Sequence, residues 1–363
     1  MLGIETRSLR HLVRRLFAAD IGPLEAGESR LEVICEAERG ERLDAVFLPE
    51  QLERVRRTQE DTSYENELVR LSAGPVTHDA SIAVQLKNAR LVEGVVFADR
   101  VRCPLTHERF SSLRTLRERT RVELGRAAIP SSTYGSRYFA HRILDDAVSG
   151  LAARKLAPVF WADDGKALGE HVRTYLRAVD LPERSLRNAD IDELWLFPHD
   201  YALNSHKTER IRALRRSVQR LATDGREGHG VFLRRRGGGL PRGLTNEREL
   251  EARLAAKGFE IVDVPNLPAA EIQRRCRGAS VVAGVEGSAF THALLGAPLT
   301  AALVPIMPPF RFNNYFKDFT DVLGMTYGFV VGKGSEEAFE VDVDELLETM
   351  DLAVSAAARR HAG

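Results

Sequence analysis

His141 and Asp145 stand four residues apart in the stretch YGSRYFAHRILDD, with Asp146 directly after. Four residues is about one helical turn, so the imidazole and the first carboxylate share a face. A carboxylate beside an imidazole orients the ring and raises its basicity, which suits it to take a proton from a hydroxyl. The spacing would also suit a metal pair, but no third ligand accompanies it. The plainer reading is a structural His–Asp pair. Which of His141, Asp145 and Asp146 would be the base stays open.

A second stretch, VVAGVEGSAFTHALLG at 281–296, reads as an apolar strand, a tight turn and a helix. A helix opening at Ser288 presents unpaired N–H groups and the positive end of its dipole, and Gly287 lets a ligand come close to the backbone. Both favour a phosphate or diphosphate. Glu286 does not attract phosphate. It either accepts hydrogen bonds from sugar or ribose hydroxyls or only caps the helix. Gly284 and Gly287 do not make the G-x-G-x-x-G fingerprint of dinucleotide binding.

In the third, VFLRRRGGGLPRGLTNE at 231–247, a strand runs into Arg234, Arg235 and Arg236, three glycines and Arg242. Arginines at a strand end before a glycine loop suit an anionic ligand, against the alternative of a solvated basic loop. In the fourth, Asn204, Lys207 and Arg210 lead into a basic helix whose arginines read mostly as a solvated face. It lacks the interleaved aromatics of single-stranded nucleic-acid binders.

The elements that must position these residues alternate. From 225 to 335 the chain reads strand, helix, strand, with Gly258, Gly278, Gly296 and Gly324 ending helices, the mark of βαβ units and a parallel sheet. Asn246 is expected to cap the helix that follows it, with Glu249 completing a capping box. Residues 138–156 read as a helix, APVFWAD and DELWLFP as strands, and 206–222 as a long helix with Ile211, Leu214, Val218 and Leu221 inward. LVEGVVFA reads as one strand and RRTQEDTSYENE as a polar loop. The expected organisation is an α/β lobe over 1–224, a second Rossmann-like lobe over 225–335 and a helical tail over 336–363. The lobes would face each other across a cleft holding a ligand at strand C-termini.

With 52 basic and 52 acidic residues among 363, the chain has no net charge, which argues against bulk nucleic-acid binding. Cys35, Cys103 and Cys276 show neither disulfide nor zinc spacing, which suits a reducing, cytoplasmic setting. No apolar run reaches the ~20 residues of a membrane span. The N-terminal segment pairs Leu9, Leu12, Leu16 and Phe17 with Arg10, Arg14 and Arg15. It reads as an ordinary surface helix or, alternatively, as peripheral contact with an acidic inner-membrane face.

Taken in order, these clusters resemble glycosyltransferase family 61, which includes bacterial capsule and surface polysaccharide enzymes and eukaryotic xylosyl- and N-acetylglucosaminyltransferases. GFEIVDVPNLPAAEIQRRCRGASVVAGVEGSAFTHALLGAP is similar to the family's C-terminal signature, with its turn Gly-x-His-Gly-Ala-Gly-Leu-Thr. VFLRRRGGGLPRGLTNERELEARL is similar to its arginine strand followed by Arg-x-x-x-Asn-Glu, and YGSRYFAHRILDD to its N-lobe helix motif. The resemblance covers about 135–330. Glu286 replaces the turn histidine, Ser288-Ala289 replaces the following Gly-Ala pattern, and Arg142 replaces an aromatic.

The resemblance implies a GT-B-like fold and inverting transfer from a nucleotide-sugar, usually a UDP-sugar, to a glycan or glycolipid in cell-surface polysaccharide synthesis. It implies no cofactor and no obligatory metal, so the Asp-x-Asp triplet in VDVDE at 341–345 is read as part of an acidic tail. It assigns His141, Asp145 and Asp146 to catalysis. Arg235, Arg236, Arg242, Asn246, Glu286, Gly287, Ser288 and Thr291 go to the donor. Two rivals remain: a non-catalytic nucleotide-sugar-binding protein with a degenerate transferase fold, and a nucleotide-cofactor oxidoreductase, which the missing glycine fingerprint disfavours.

Overall fold

The structure is a computed structural model describing residues 23–24, 30–107, 121–198, 200–222, 224–235, 243–336 and 338–362. The chain forms two compact units, one of residues 1–37 and 79–210 and the other of 38–78 and 211–363. The expected division at 224/225 is a single cut. The chain instead passes between units at 37/38, 78/79 and 210/211, the last within the helix Ser205–Gln219.

The C-terminal unit is built on the expected parallel sheet. Its order is Glu260–Asp263, Gly230–Arg234, Val281–Val285, Ala302–Met307 and Thr326–Tyr327, with Val330–Val331 also paired to Ala302–Met307. Counted along the chain this is 2-1-3-4-5, a doubly wound order whose switch point lies between the first and third strands. Every pairing is parallel, because a helix intervenes between successive strands up to Thr326. MTYGFVVG makes two short strands rather than the one expected. Gly258, Gly278 and Gly324 all have φ near +80°, the left-handed conformation that ends a helix without Cβ strain. The terminal helix Val343–His361 seats Leu346, Met350 and Ala353 against Val304 and Ile306 of the sheet.

Residues 38–78 complete this unit. Val46 and Thr58 make parallel bridges to Gly328 and Phe312, and Arg54 grips Glu345 through two hydrogen bonds of 2.5 and 2.6 Å. The last third of the supposed polar loop, Tyr64–Glu67, opens the helix Tyr64–Leu71, whose cap is Ser63, accepting from Asn66 N at 3.2 Å.

The N-terminal unit departs from the expected parallel sheet. Its strands run in the order Val101–Pro104, Val95–Ala98, Ser81–Val92, Asn188–Leu196 and Val122–Ile129, with Arg30–Cys35 also on Ser81–Val92. Within this sheet only the Val122–Ile129 and Asn188–Leu196 pairing is parallel. One cause is local. LVEGVVFA turns at Glu93 and Gly94, with φ of 44° and 77°, so it is a hairpin and not one strand. A two-residue connection forces antiparallel pairing, whereas parallel strands need a crossover.

Beyond Val122–Ile129 the parallel sense continues through the Ala128–Val159 bridge and the Trp161–Ala162 pairing with Ser185–Leu186. Against this side runs the helix over 139–153, in which Ile143, Leu144, Ala147, Val148 and Leu151 are all buried.

Candidate functional site

The helix over 139–153 carries the first cluster. Its middle, Arg142–Ala147, is a π-helical turn, a rare wide form that is frequent at functional sites. His141 Nδ1 lies 2.7 Å from Asp145 Oδ2, so the pair expected from spacing is formed. The His141 side chain keeps 20% of its surface exposed, whereas that of Asp145 keeps 6%. The second Asp145 oxygen accepts from Lys207 Nζ at 2.7 Å. Tyr134, Tyr138 and Tyr201 surround the imidazole, with ring centroids 5.1, 5.9 and 6.3 Å away.

Lys207 was legible only as part of a basic helix, yet it is fully buried. Its backbone N–H donates to Asn204 Oδ1 at 3.0 Å, a helix cap, and Asn204 Nδ2 donates to Ser81 Oγ at 2.8 Å. That cap ties the helix start to the sheet and aims the lysine at the buried carboxylate. The ammonium also donates to the Asp200 carbonyl. The Asp200 carboxylate accepts from Ser81 Oγ and Ser149 Oγ, both at 2.6 Å, and from Arg210 Nη2 at 3.2 Å.

The two adjacent carboxylates differ in ionisation. Burial pushes Asp145 up, but Lys207 and His141 outweigh it and hold the group below its usual range. Burial pushes Asp146 up to about 7; Arg142 and the Ser132 hydroxyl pull against it, and Asp145 adds to it. Ser132 Oγ donates to Asp146 Oδ1 at 2.6 Å, while Arg142 Nη1 stands 3.5 Å from Oδ2.

Asp146 has a consequence for stability. Unfolded, an aspartate ionises near about 3.9, so between there and about 7 the folded chain holds the extra proton. Its contribution is full below that window and is lost as pH rises through it. Asp146→Asn is therefore expected to gain stability relative to the parent chain between pH 5 and pH 8, as chemical denaturation at both values would measure.

The second cluster lies in the C-terminal unit, at the switch point, where open α/β sheets bind ligands. Arg235 follows the first strand, and its Nη1 donates to the Glu286 carbonyl at 3.1 Å, just past the third strand. Glu286 is buried, with Oε2 3.9 Å from Arg311 Nε. Gly287 has φ of 151°, a region only glycine occupies readily. The helix proper is Phe290–Gly296, two residues later than the expected start at Ser288. The N–H groups of Phe290, Thr291 and His292 bond back to the carbonyls of Gly287, Ser288 and Ala289. Thr291 is wholly buried, and its hydroxyl has no hydrogen-bond partner among the described residues.

The other expected donor residues fall elsewhere. Asn246 stands at the helix start, but its side chain makes no cap. It donates to Val341 O at 2.7 Å and accepts from Val341 N at 3.2 Å, which pins the approach to the terminal helix. Arg234 pairs with Asp263 at 2.7 Å. Arg236 and Arg242 lie outside the described residues, as does the amphipathic segment 9–17. In the Asp-x-Asp triplet, Asp342 caps the terminal helix and Asp344 pairs with Arg253. Arg311 and the three tyrosines were not anticipated. Tyr134 and Tyr138 stand in the same stretch as His141, within the quoted motif, whereas Tyr201 and Arg311 come to their clusters only through tertiary folding.

The doubly wound sheet and the α/β unit beside it in sequence place the chain among mixed α/β proteins with a Rossmann-like parallel sheet. Residues 45–303 match the family described as Glycosyltransferase 61, and the chain belongs to that family. Comparison with functionally curated proteins finds no match. Membership makes it a glycosyltransferase, with a donor sugar and an acceptor.

Proposed function

We propose that the chain transfers a sugar from a UDP-sugar to a glycan or glycolipid acceptor, with inversion at the anomeric carbon, in cell-surface polysaccharide synthesis. The observation that carries the reading is the His141–Asp145 pair, closed at 2.7 Å and still partly open to solvent on the imidazole. His141 takes the proton of the acceptor hydroxyl as its oxygen attacks the anomeric carbon. The bond from that carbon to the donor phosphate breaks, and the diphosphate leaves with the electron pair. Arg235, Arg236, Arg242 and the backbone N–H groups of 287–289 receive its charge. Glu286 and Thr291 hold ribose or sugar hydroxyls. The GT-B arrangement and independence from metal belong to the same reading.

So does a cytoplasmic location with peripheral membrane contact through the basic N-terminal segment. No described helix is long and apolar enough to cross a membrane.

The full chain should rise in melting temperature with a UDP-sugar, and with an acceptor it should release UDP. Arg235→Ala should weaken donor binding by roughly 10- to 100-fold, the worth of a hydrogen bond to a charged group. Absence of a shift with every nucleotide-sugar would overturn the donor assignment. Binding without UDP release on any acceptor would favour the non-catalytic reading, which Glu286 in place of the family's turn histidine motivates.

A further inference from the structure

A histidine hydrogen-bonded to an ionised, buried aspartate has a difficulty as a base. The carboxylate attracts a proton to the ring, and in a poorly solvated site that attraction is strong. A pair left to itself tends toward imidazolium and carboxylate, and an imidazolium has no lone pair to offer a hydroxyl. Something must support the orienting role of the carboxylate while limiting its charge.

An ammonium touches that carboxylate, that of Lys207. Its Nζ is 2.7 Å from Asp145 Oδ1, on the opposite side of the carboxylate from His141, and its side chain has no solvent exposure. We propose that Lys207 is the positioning residue of the pair: it fixes the Asp145 carboxylate and, by balancing its charge, opposes protonation of the His141 ring. The inference rests on the reading of His141 as the base.

With a neutral ring, the group of His141, Asp145 and Lys207 carries no net charge. Protonating the ring gives it a net positive charge in a buried setting, and the lysine opposes that step. Removing the ammonium reverses the preference. The other titratable groups around the ring and the carboxylate weigh less on this balance. Tyr134 and Tyr138 approach from the start of the helix, and burial keeps the Tyr201 phenol far above its ordinary range. Asp146, on the same helix, faces Arg142 and Ser132. Asp200 faces Arg210 and two serines and meets Lys207 only through its carbonyl. Lys207 is held in place by the Asn204 cap, so its position does not depend on Asp145 alone.

The test is the titration of His141 itself, followed by NMR in the full chain with labelled histidine and assigned by the signal lost in His141→Asn. In Lys207→Met the midpoint should move up by about one pH unit or more, a change of about tenfold or more in proton affinity. An unchanged or lowered midpoint overturns the proposal. Because an empty lysine site beside a buried carboxylate can prevent folding, Asp145→Asn/Lys207→Met is to be compared with Asp145→Asn. The double variant must again have the higher midpoint, and an equal or lower one overturns the proposal.

This measurement needs neither donor nor acceptor. A shifted midpoint in a chain that transfers no sugar would leave the proposal standing and reject the transferase mechanism. Where transfer is measured, the acid limb of the pH–rate profile should move upward in Lys207→Met.

Discussion

His141→Ala should lower sugar transfer by roughly 10²- to 10⁴-fold, the usual worth of a positioned general base. Donor binding should change little, whereas the melting temperature should fall, because the mostly buried ring packs among three tyrosines and its loss takes one partner from the buried Asp145 carboxylate. Asp145→Asn should also lower transfer while preserving the shape of the site. It removes the anion that holds the ring, and it leaves Lys207 facing a neutral amide in a buried pocket, which adds a cost in stability. The measurement is initial rate with the best UDP-sugar at saturating acceptor, beside a melting curve for each variant. A fully active His141→Ala chain would move the role of base to another residue, Asp146 being the next in the same helix.

Glu67→Ala should destabilise the C-terminal unit by about 3–5 kcal/mol, the range for breaking one side of a buried ion pair. Glu67 has no solvent exposure and every oxygen is in use. Oε1 accepts from Arg70 at 2.5 Å and Thr62 at 2.9 Å, and Oε2 accepts from the backbone N–H of Asn314 at 2.7 Å and its side-chain amide at 2.8 Å. Truncation leaves those donors dry and leaves Arg70 with Asp318 as its remaining acid, 3.1 Å away. The expected fall in melting temperature is of the order of 10 °C. Glu67→Gln, which keeps the shape and one acceptor, should fall by less. Equal melting temperatures for Glu67→Ala and the parent would show that Tyr64–Leu71 is not held by this carboxylate.

The contrast between His141 and Glu67 shows where sequence reading succeeds. His141 and Asp145 were legible because one helix carries both and helical spacing is a local property. The parallel sheet was legible for the same reason, since each strand, helix and terminal glycine from 230 to 324 is announced within its own segment. Glu67 sat in a run that read as a polar loop, and its partner Asn314 is 247 residues away. Lys207 is 62 residues from Asp145, and a lysine in a basic helix gives no local sign that its ammonium is buried. Asn246 shows the converse failure. A residue ideally typed for a helix cap was drawn off by a tertiary contact with Val341, because one amide satisfied both an N–H and a carbonyl there. The hairpin of Ser81–Val92 with Val95–Ala98 was local in origin, but its signal was a two-residue Glu93-Gly94 turn inside an otherwise continuous apolar run, and the antiparallel pairing of Ser81–Val92 with Asn188–Leu196 has no local signal.

The interrupted path of the chain bears on the order in which it is made. Residues 38–78 emerge from the ribosome before the rest of their unit, yet Arg54 closes on Glu345, 291 residues later. The sheet strand nearest in sequence to that segment, Gly230–Arg234, also comes long after it. The helix Tyr64–Leu71 therefore waits, its apolar and acidic faces without their partners, through the synthesis of the whole intervening unit. Contacts of such long range slow folding. The C-terminal unit can reach its full set of contacts only after translation has passed Val343–His361, so it folds late, with its first-made segment joining among the last.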